Sequence, residues 1–375
     1  MNEERRRAQH DHCDKLTGSL INLYGSTTAA TATFWRTTMN SVITSRTFIH
    51  LIITIAIFSL LLLGCTRQDT PSYNGPPTKI SIGIFKAESA AVVYVADQSG
   101  YFKQMGLDVE MHELSSGVEA MAELNEGRVD MALPAEFVFA ANIDKHPDLR
   151  ILASLNRINS VHMVARKDRG IIKPADLKGK RIAVTLTSVG EYFLGKFLNS
   201  NRLLLDEVTI VNMPPPIMEK EIGIGSIDAA IVWDPVAWRL RESLGSNAVS
   251  WPAQSETPWN LVLVARDSLI KKEPAAMVRL MKALIMAENS IGKDPAATQQ
   301  NLTKRIGVSE RYLADVWGDN QFRVSLERSL MLMLEEETHW IQSTQGSVQK
   351  LPNYIRYIHF DALKTARPES VSIIH

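Results

Sequence analysis

The sequence predicts an α/β protein of two similar lobes, each a mixed, mainly parallel sheet flanked by helices, and three observations carry that prediction. From Lys79 to Pro134, short β-branched runs alternate with helical patterns in the order β-α-β-α-β, and the same order restarts at Arg181 and ends at Trp233. A phrase is repeated between the two copies: "EGRVDMALPAE" (residues 126–136) is echoed by "IGSIDAAIVWD" (residues 224–234), with Gly127 matching Gly225 and Asp130 matching Asp228. Two extended apolar segments, residues 149–168 and 257–269, flank the second copy and read as crossovers between lobes.

In the first copy, "KISIGIF" reads as a strand, "AAVVYVADQSGYFKQMG" as a helix closed near Gly106, "LDVEMHE" as a strand, "GVEAMAELNEG" as a helix and "RVDMALP" as a strand. In the second, "RIAVTLT", "EVTIVNM" and "SIDAAIVW" are strands, separated by helices over "VGEYFLGKFLNSNRL" and "PIMEKEIGIG". Alternation of this kind implies parallel strands with helices on the faces. Gly127 and Gly225 each follow the last apolar-periodic residue of a helix, the place for a left-handed closing residue. Asp130 and Asp228 then read as caps on the free amides of the turn. The ends of the two phrases, residues 133–136 and 231–235, fall where strands finish, and open α/β sheets bind ligands beyond the carboxyl ends of their strands. Helices are expected from Pro274 to about Ser343, with the acidic run Glu335 to Glu337 on a solvated face.

Composition narrows the function classes. Lys plus Arg and Asp plus Glu both number 41, so no charge excess advertises nucleic acid as a partner. The only cysteines are Cys13 and Cys65, which excludes a disulfide, a Cys-ligated metal or a cysteine nucleophile from the folded part. Residues 48–64, "FIHLIITIAIFSLLLLG", are almost wholly apolar, follow Arg46 and run into Cys65. That order resembles a bacterial lipoprotein signal peptide, which implies lipidation at Cys65; an uncleaved anchor helix is the alternative reading. Residues 1–38 then read as an upstream extension before a start at Met39, residues 39–64 as the signal peptide and residues 65–78 as a polar linker. His10, His12 and Cys13 lie in an unpatterned charged tail, and no metal site is assigned to them.

The stretch "YVADQSGYFKQMGLDVEMHELSSGVEAMAELNEGRVDMALPAE", followed by "DLKGKRIAVTLTSVGEYFLGKFL", "GSIDAAIVWDPVAW" and "WNLVLVARDSL", is similar in order and spacing to the solute-binding proteins of ABC importers. The resemblance is to their nitrate, sulfonate, taurine and thiamine-precursor group, and it spans residues 79–291. It implies a type II periplasmic binding protein fold, with lobe 1 over residues 79–158, lobe 2 over residues 159–258, a return to lobe 1 plus C-terminal helices over residues 259–375, and two hinge crossovers. It also implies a small anionic or zwitterionic solute held between the lobes, an ABC permease with its ATPase as partners, a lipid-anchored place on the outer side of the membrane and a monomeric chain. No cofactor is implied.

Candidate ligand-binding residues follow from that frame. Ser115-Ser116-Gly117 and Thr187-Ser188 each precede a helix, where unpaired amides and the positive dipole end suit an anionic head group. Both also read as ordinary N-caps. Trp233 offers a flat apolar wall and Asp234 a carboxylate, although Asp234-Pro235 is equally a standard helix start. Glu136 holds the matching place in lobe 1, and two facing carboxylates would suit a solute with an amino or amidine end. Lys86 and Glu88 belong to the loop after the first strand, which faces the cleft in the resembling family; Arg157 lies at the hinge with Asn156, Asn159 and Ser160, and Arg there can clamp an oxyanion. Trp259, on the return crossover, either lies over the ligand or fills core.

Enzymatic readings find little support. "GIG" at residues 223–225 precedes a strand rather than following one, and no P-loop, HExxH or GxSxG pattern occurs. His112, His162, His339 and His359 are scattered. A fungal-type thiamine-pyrimidine synthase shares the implied fold but uses a cysteine-rich segment that this chain lacks. No catalytic residue is therefore assigned. The alternative to transport is a lipid-anchored sensory module that reports solute to a signalling partner.

Overall fold

In the computed structural model, which describes residues 73–254, 257–346 and 350–374, the alternation of Ile80, Ile82 and Ile84 buries one side of β1 (Thr78–Phe85). The expected extension, signal peptide, lipidated Cys65 and the linker as far as residue 72 lie outside the described residues. Lobe 1 continues with α1 (Ala91–Gln98), α2 (Tyr101–Gln104), β2 (Leu107–Leu114), α3 (Gly117–Asn125), β3 (Met131–Leu133), α4 (Glu136–Ala140) and β4 (Leu149–Ile158). The single helix expected over residues 90–106 is thus two. Gly100 adopts φ 71°, a left-handed conformation that ends one helix before the next begins.

The chain then enters a second sheet with β5 (Val161–Arg166), β6 (Arg181–Val184), α5 (Val189–Ser200), β7 (Thr209–Asn212), α6 (Pro215–Ile224), β8 (Ala229–Trp233), α7 (Val236–Leu244) and β9 (Ala248–Pro252). It returns through β10 (Trp259–Arg266), α8 (Asp267–Lys272), α9 (Pro274–Lys293), α10 (Pro295–Ile306), α11 (Glu310–Val316), β11 (Asn320–Ser325), α12 (Arg328–Thr344) and α13 (Asp361–Ala366). β9 and β11 were not expected; each is a short edge strand with partly exposed residues, too weakly patterned to stand out.

The strand orders are β11-β4-β10-β3-β1-β2 and β7-β6-β8-β5-β9. In each sheet three strands run parallel, β2-β1-β3 and β7-β6-β8, and the next strand is antiparallel and arrives from the other lobe, β10 in the first and β5 in the second. Strands buried on both faces, such as β8 and most of β10, read as unbroken apolar runs for that reason.

The repeated phrase has a structural cause. Gly127 and Gly225 close their helices at φ 71° and 80°. Asp130 Oδ2 accepts from Ser81 N at 2.8 Å while Asp130 N donates to Ser81 O; Asp228 Oδ2 accepts from Arg181 N at 2.9 Å while Asp228 N donates to Arg181 O. The aspartates therefore do not cap their own turns, as expected, but fasten β3 to β1 and β8 to β6. The two crossovers are tied by Gln254, whose Oε1 accepts from Val161 N (2.8 Å) and whose Nε2 donates to Ile158 O (2.9 Å) and Thr257 O (3.1 Å).

The acidic run on α12 departs from its expected exposure. Successive helical residues point about 100° apart, so Glu337 shares a face with buried Leu330, Met333 and Leu334 and is itself fully buried. Among the described residues no helix is long and apolar enough to cross a membrane.

Candidate functional site

The carboxyl ends of β1, β3 and β8 and the start of the helix that follows β6 come together where the lobes face each other, and a cavity of about 20 Å³ lies there. Lobe 1 lines it with Phe85, Gly117, Val118, Leu133, Ala135 and Val138, lobe 2 with Ser188, Val189 and Trp233, and β10 with Trp259 and Leu261. None of these side chains is titratable in the physiological range. Phe85 meets Trp233 edge to face across the lobes, centroids 6.0 Å apart and planes at 85°. A larger hollow of about 370 Å³ opens beside α5, partly walled by Trp251 to Gln254 at the end of the edge strand β9, away from the ends of β1, β3 and β8.

Two helix N-termini converge on the cavity. Gly117 begins α3, and an added Cβ there would meet Pro134 Cα at 3.0 Å, so a side chain would crowd the close approach of the helix start to the end of β3. Val189 begins α5 from the other lobe. Each start carries the same Ser-x-x-Glu arrangement. Ser116 Oγ accepts from Glu119 N (3.2 Å) and Glu119 Oε2 accepts from Ser115 N (2.8 Å); Ser188 Oγ accepts from Gly190 N (3.1 Å) and Glu191 Oε2 accepts from Thr187 N (2.6 Å). The first amides of each helix still lack intrahelical acceptors.

The ten sequence-derived candidates divide. Trp233 and Ser188 line the cavity. Ser116 is a buried cap one residue from it, while Ser115 Oγ donates to Glu119 Oε2 (2.6 Å). Thr187 is exposed, with φ 58° and its hydroxyl donating to Leu186 O. Lys86 pairs with Glu113 at 3.1 Å, and Arg157 with Glu327 at 3.5 Å. Glu136 is fully buried within lobe 1, where Oε1 accepts from Asn260 N (2.8 Å) and Nδ2 (2.9 Å). Asp234 accepts from Trp238 N at 2.8 Å and lies 3.7 Å from His162 Nε2 and 3.5 Å from Arg241. Glu88 accepts from the Tyr312 hydroxyl.

Burial dominates the electrostatics beside the cavity. It raises the Glu88 carboxyl to about 7 against the Tyr312 hydrogen bond, and Asp234 to about 6 against the pull of Arg241. Desolvation, aided by Arg241, pushes His162 down to about 4, so that ring is neutral near pH 7. Among the described residues no group of His, Cys, Asp and Glu is placed to hold a metal ion.

Sequence reasoning missed Val118, Val138 and Leu261 and reached Leu133 and Val189 only as part of a strand end and a helix start, because apolar residues in such places look like core. Trp259 was visible as an alternative: it is 4% exposed, lines the cavity, and its Nε1 has no partner among the described residues.

A family model described as NMT1/THI5 like matches residues 88–298. The chain is 26% identical over 230 residues to the taurine-binding periplasmic protein of Escherichia coli, covering 60% of this chain and 70% of that one. It is 26% identical over 320 residues to a putative binding protein, YtlA, of Bacillus subtilis, covering 80% and 91%. The alkanesulfonate-binding protein of Xanthomonas axonopodis, solved bound to MOPS, superposes with a TM-score of 0.65 at 17% identity over 76% of this chain and 99% of that one. The two-lobed architecture is therefore that of the periplasmic binding proteins.

Proposed function

The chain belongs to the NMT1/THI5-like family, and on that premise we propose that it is an extracytoplasmic solute-binding protein of an ABC importer that encloses a small organosulfonate or taurine-like anion between its lobes. The carrying observation is the convergence of the α3 and α5 N-termini, from opposite lobes, on a cavity walled by Phe85 and Trp233. Helix starts favour an anionic head group, and aromatic walls favour an organic tail over bare nitrate. The names of the taurine-binding and alkanesulfonate-binding relatives support the same solute class.

A cavity of about 20 Å³ has room for roughly one water-sized group, so a solute enters when the lobes part about the Gln254-tied crossovers and is held when they close. Closure is driven only by a ligand that contacts both lobes. The permease and its ATPase are the partners, the chain acts as a monomer, and lipidation at Cys65 is the anchor; the polar stretch after it gives reach.

The test is a thermal-shift panel of sulfonates, taurine, nitrate, carboxylates and aminopyrimidines. Ligands that bind only the folded chain raise its melting temperature with concentration. Sulfonates or taurine should raise it and nitrate should not; a response confined to nitrate or aminopyrimidines would overturn the solute class.

A further inference from the structure

A buried tryptophan N–H normally finds an acceptor, and leaving that hydrogen bond unmade is costly. Trp259 breaks that rule at the cavity: the residue is 4% exposed, it forms part of the lining, and Nε1 has no partner among the described residues. Two further lining side chains carry a polar atom, Trp233 and Ser188; the Ser188 hydroxyl is committed, since it donates to Thr185 O (2.6 Å) and accepts from Gly190 N (3.1 Å).

The backbone that carries Trp259 is held from several sides. Asn260, next in sequence, gives both its amide and its side-chain Nδ2 to Glu136 Oε1, and its Oδ1 accepts from Ser154 Oγ at 3.2 Å. Trp259 pairs with Ile158 across the strands, and Val262 N donates to Pro134 O at 2.9 Å. A donor fixed in advance gives up little freedom when its acceptor arrives.

We propose that the Trp259 indole N–H donates a hydrogen bond to an oxygen of the solute's anionic head group, and so determines which solutes the cleft retains. The proposal rests on the solute-binding reading above. It makes Glu136 a positioning residue, acting through Asn260 on Trp259 rather than touching solute. It also makes the head-group site one of neutral donors: Lys86 and Arg157, the cations singled out in the sequence, are paired with Glu113 and Glu327 and do not line the cavity. Selectivity for an oxyanion then comes from the Trp259 N–H and two helix starts.

The experiment uses ¹⁵N-labelled protein, whose indole N–H signals are followed while taurine or 1-butanesulfonate is added, with melting temperature read in parallel. Trp259→Phe keeps an apolar ring and removes the donor; it assigns the Trp259 signal by its loss, and Trp317→Phe, on a ring packed against Phe322, is the control. The expected result is a downfield shift of the Trp259 proton at saturation, with sulfonate affinity about tenfold lower in Trp259→Phe and unchanged in Trp317→Phe. If Trp259→Phe does not fold, contacts with Ile158 assign the wild-type signal and the shift alone decides. A sulfonate that stabilises the protein while leaving the Trp259 signal in place overturns the proposal and spares the solute-binding reading. A protein that no sulfonate stabilises overturns both.

Discussion

Ser188 and Thr187 stand side by side and do opposite things. Ser188 is 1% exposed, caps α5 and satisfies Thr185 O; Ser188→Ala should lower stability by about 1 kcal/mol, read as a fall in the denaturant midpoint without a change of slope. Thr187 is exposed at φ 58°, a region costly for a β-branched residue. Thr187→Gly should therefore raise stability by roughly 1 kcal/mol, read as a higher midpoint, and an unchanged or lower midpoint would show that the left-handed turn stores little strain. The sequence made both hydroxyls look alike because each precedes a helix. Residue type signals a cap, whereas the direction in which the side chain is spent depends on backbone conformation that neighbours impose.

At the scale of elements, α12 joins what the crossovers separate. Trp340 packs against Phe137 of α4 in lobe 1 and Tyr192 of α5 in lobe 2, with centroids 5.7 Å away in both cases. On α5, a Cβ added at Gly195 would lie 2.8 Å from Trp340 Nε1. The ion pair of Lys196 with Glu336, at 2.6 Å and about half exposed, contributes little beside this packing. Because α5 also carries a cavity wall at Ser188 and Val189, its seat on α12 sets how well the lobes close. Gly195→Leu should weaken solute binding by about tenfold, since overpacking costs about 1–3 kcal/mol, while leaving every cavity residue intact. Titration calorimetry with wild-type affinity would remove α12 from the closing contact. The Trp340 contact was hidden in sequence, where residues 328–344 show an amphipathic helix and not its partners. Helices and parallel strands were legible from period and glycine punctuation; edge strands β9 and β11 were not, because half-exposed short strands leave little pattern.

Over the whole molecule, the carboxyls of Glu88, Glu136 and Glu337 are buried without an ion pair among the described residues. Burial raises Glu136 to about 7, against its Asn260 hydrogen bonds and the pull of Arg157; Glu337 is driven well up by burial and by repulsion from Glu136 and Glu336, and both its oxygens lack partners. Tyr192 of α5 and Tyr354 also face this pair. Groups whose folded pKa exceeds the unfolded value bind protons more tightly when folded, so stability falls as pH rises from about 4.5 through about 7. His162, depressed to about 4, acts in the opposite sense between about 4 and 6.5. Glu337→Gln isolates the carboxyl contribution: melting temperatures between pH 5 and 8 should decline less steeply in the variant than in the wild type. Equal slopes would mean that Glu337 does not titrate in this range. None of this was readable from Glu335 to Glu337 as a run of charges, since which member faces inward depends on the packing of α12.

The two-lobed arrangement followed from the repeated β-α-β-α-β pattern and the Gly-x-x-Asp echo, but the solute site depends on apolar side chains that sequence assigns to core. The most direct measurement is a calorimetric titration of 1-butanesulfonate into the wild-type chain and into Trp233→Leu, with circular dichroism to verify that both are folded. One solute per chain in the wild type and about tenfold or greater weakening in Trp233→Leu is the predicted result. Absence of binding to the wild type, or equal affinity in the two proteins, would contradict a solute held between the lobes against Trp233.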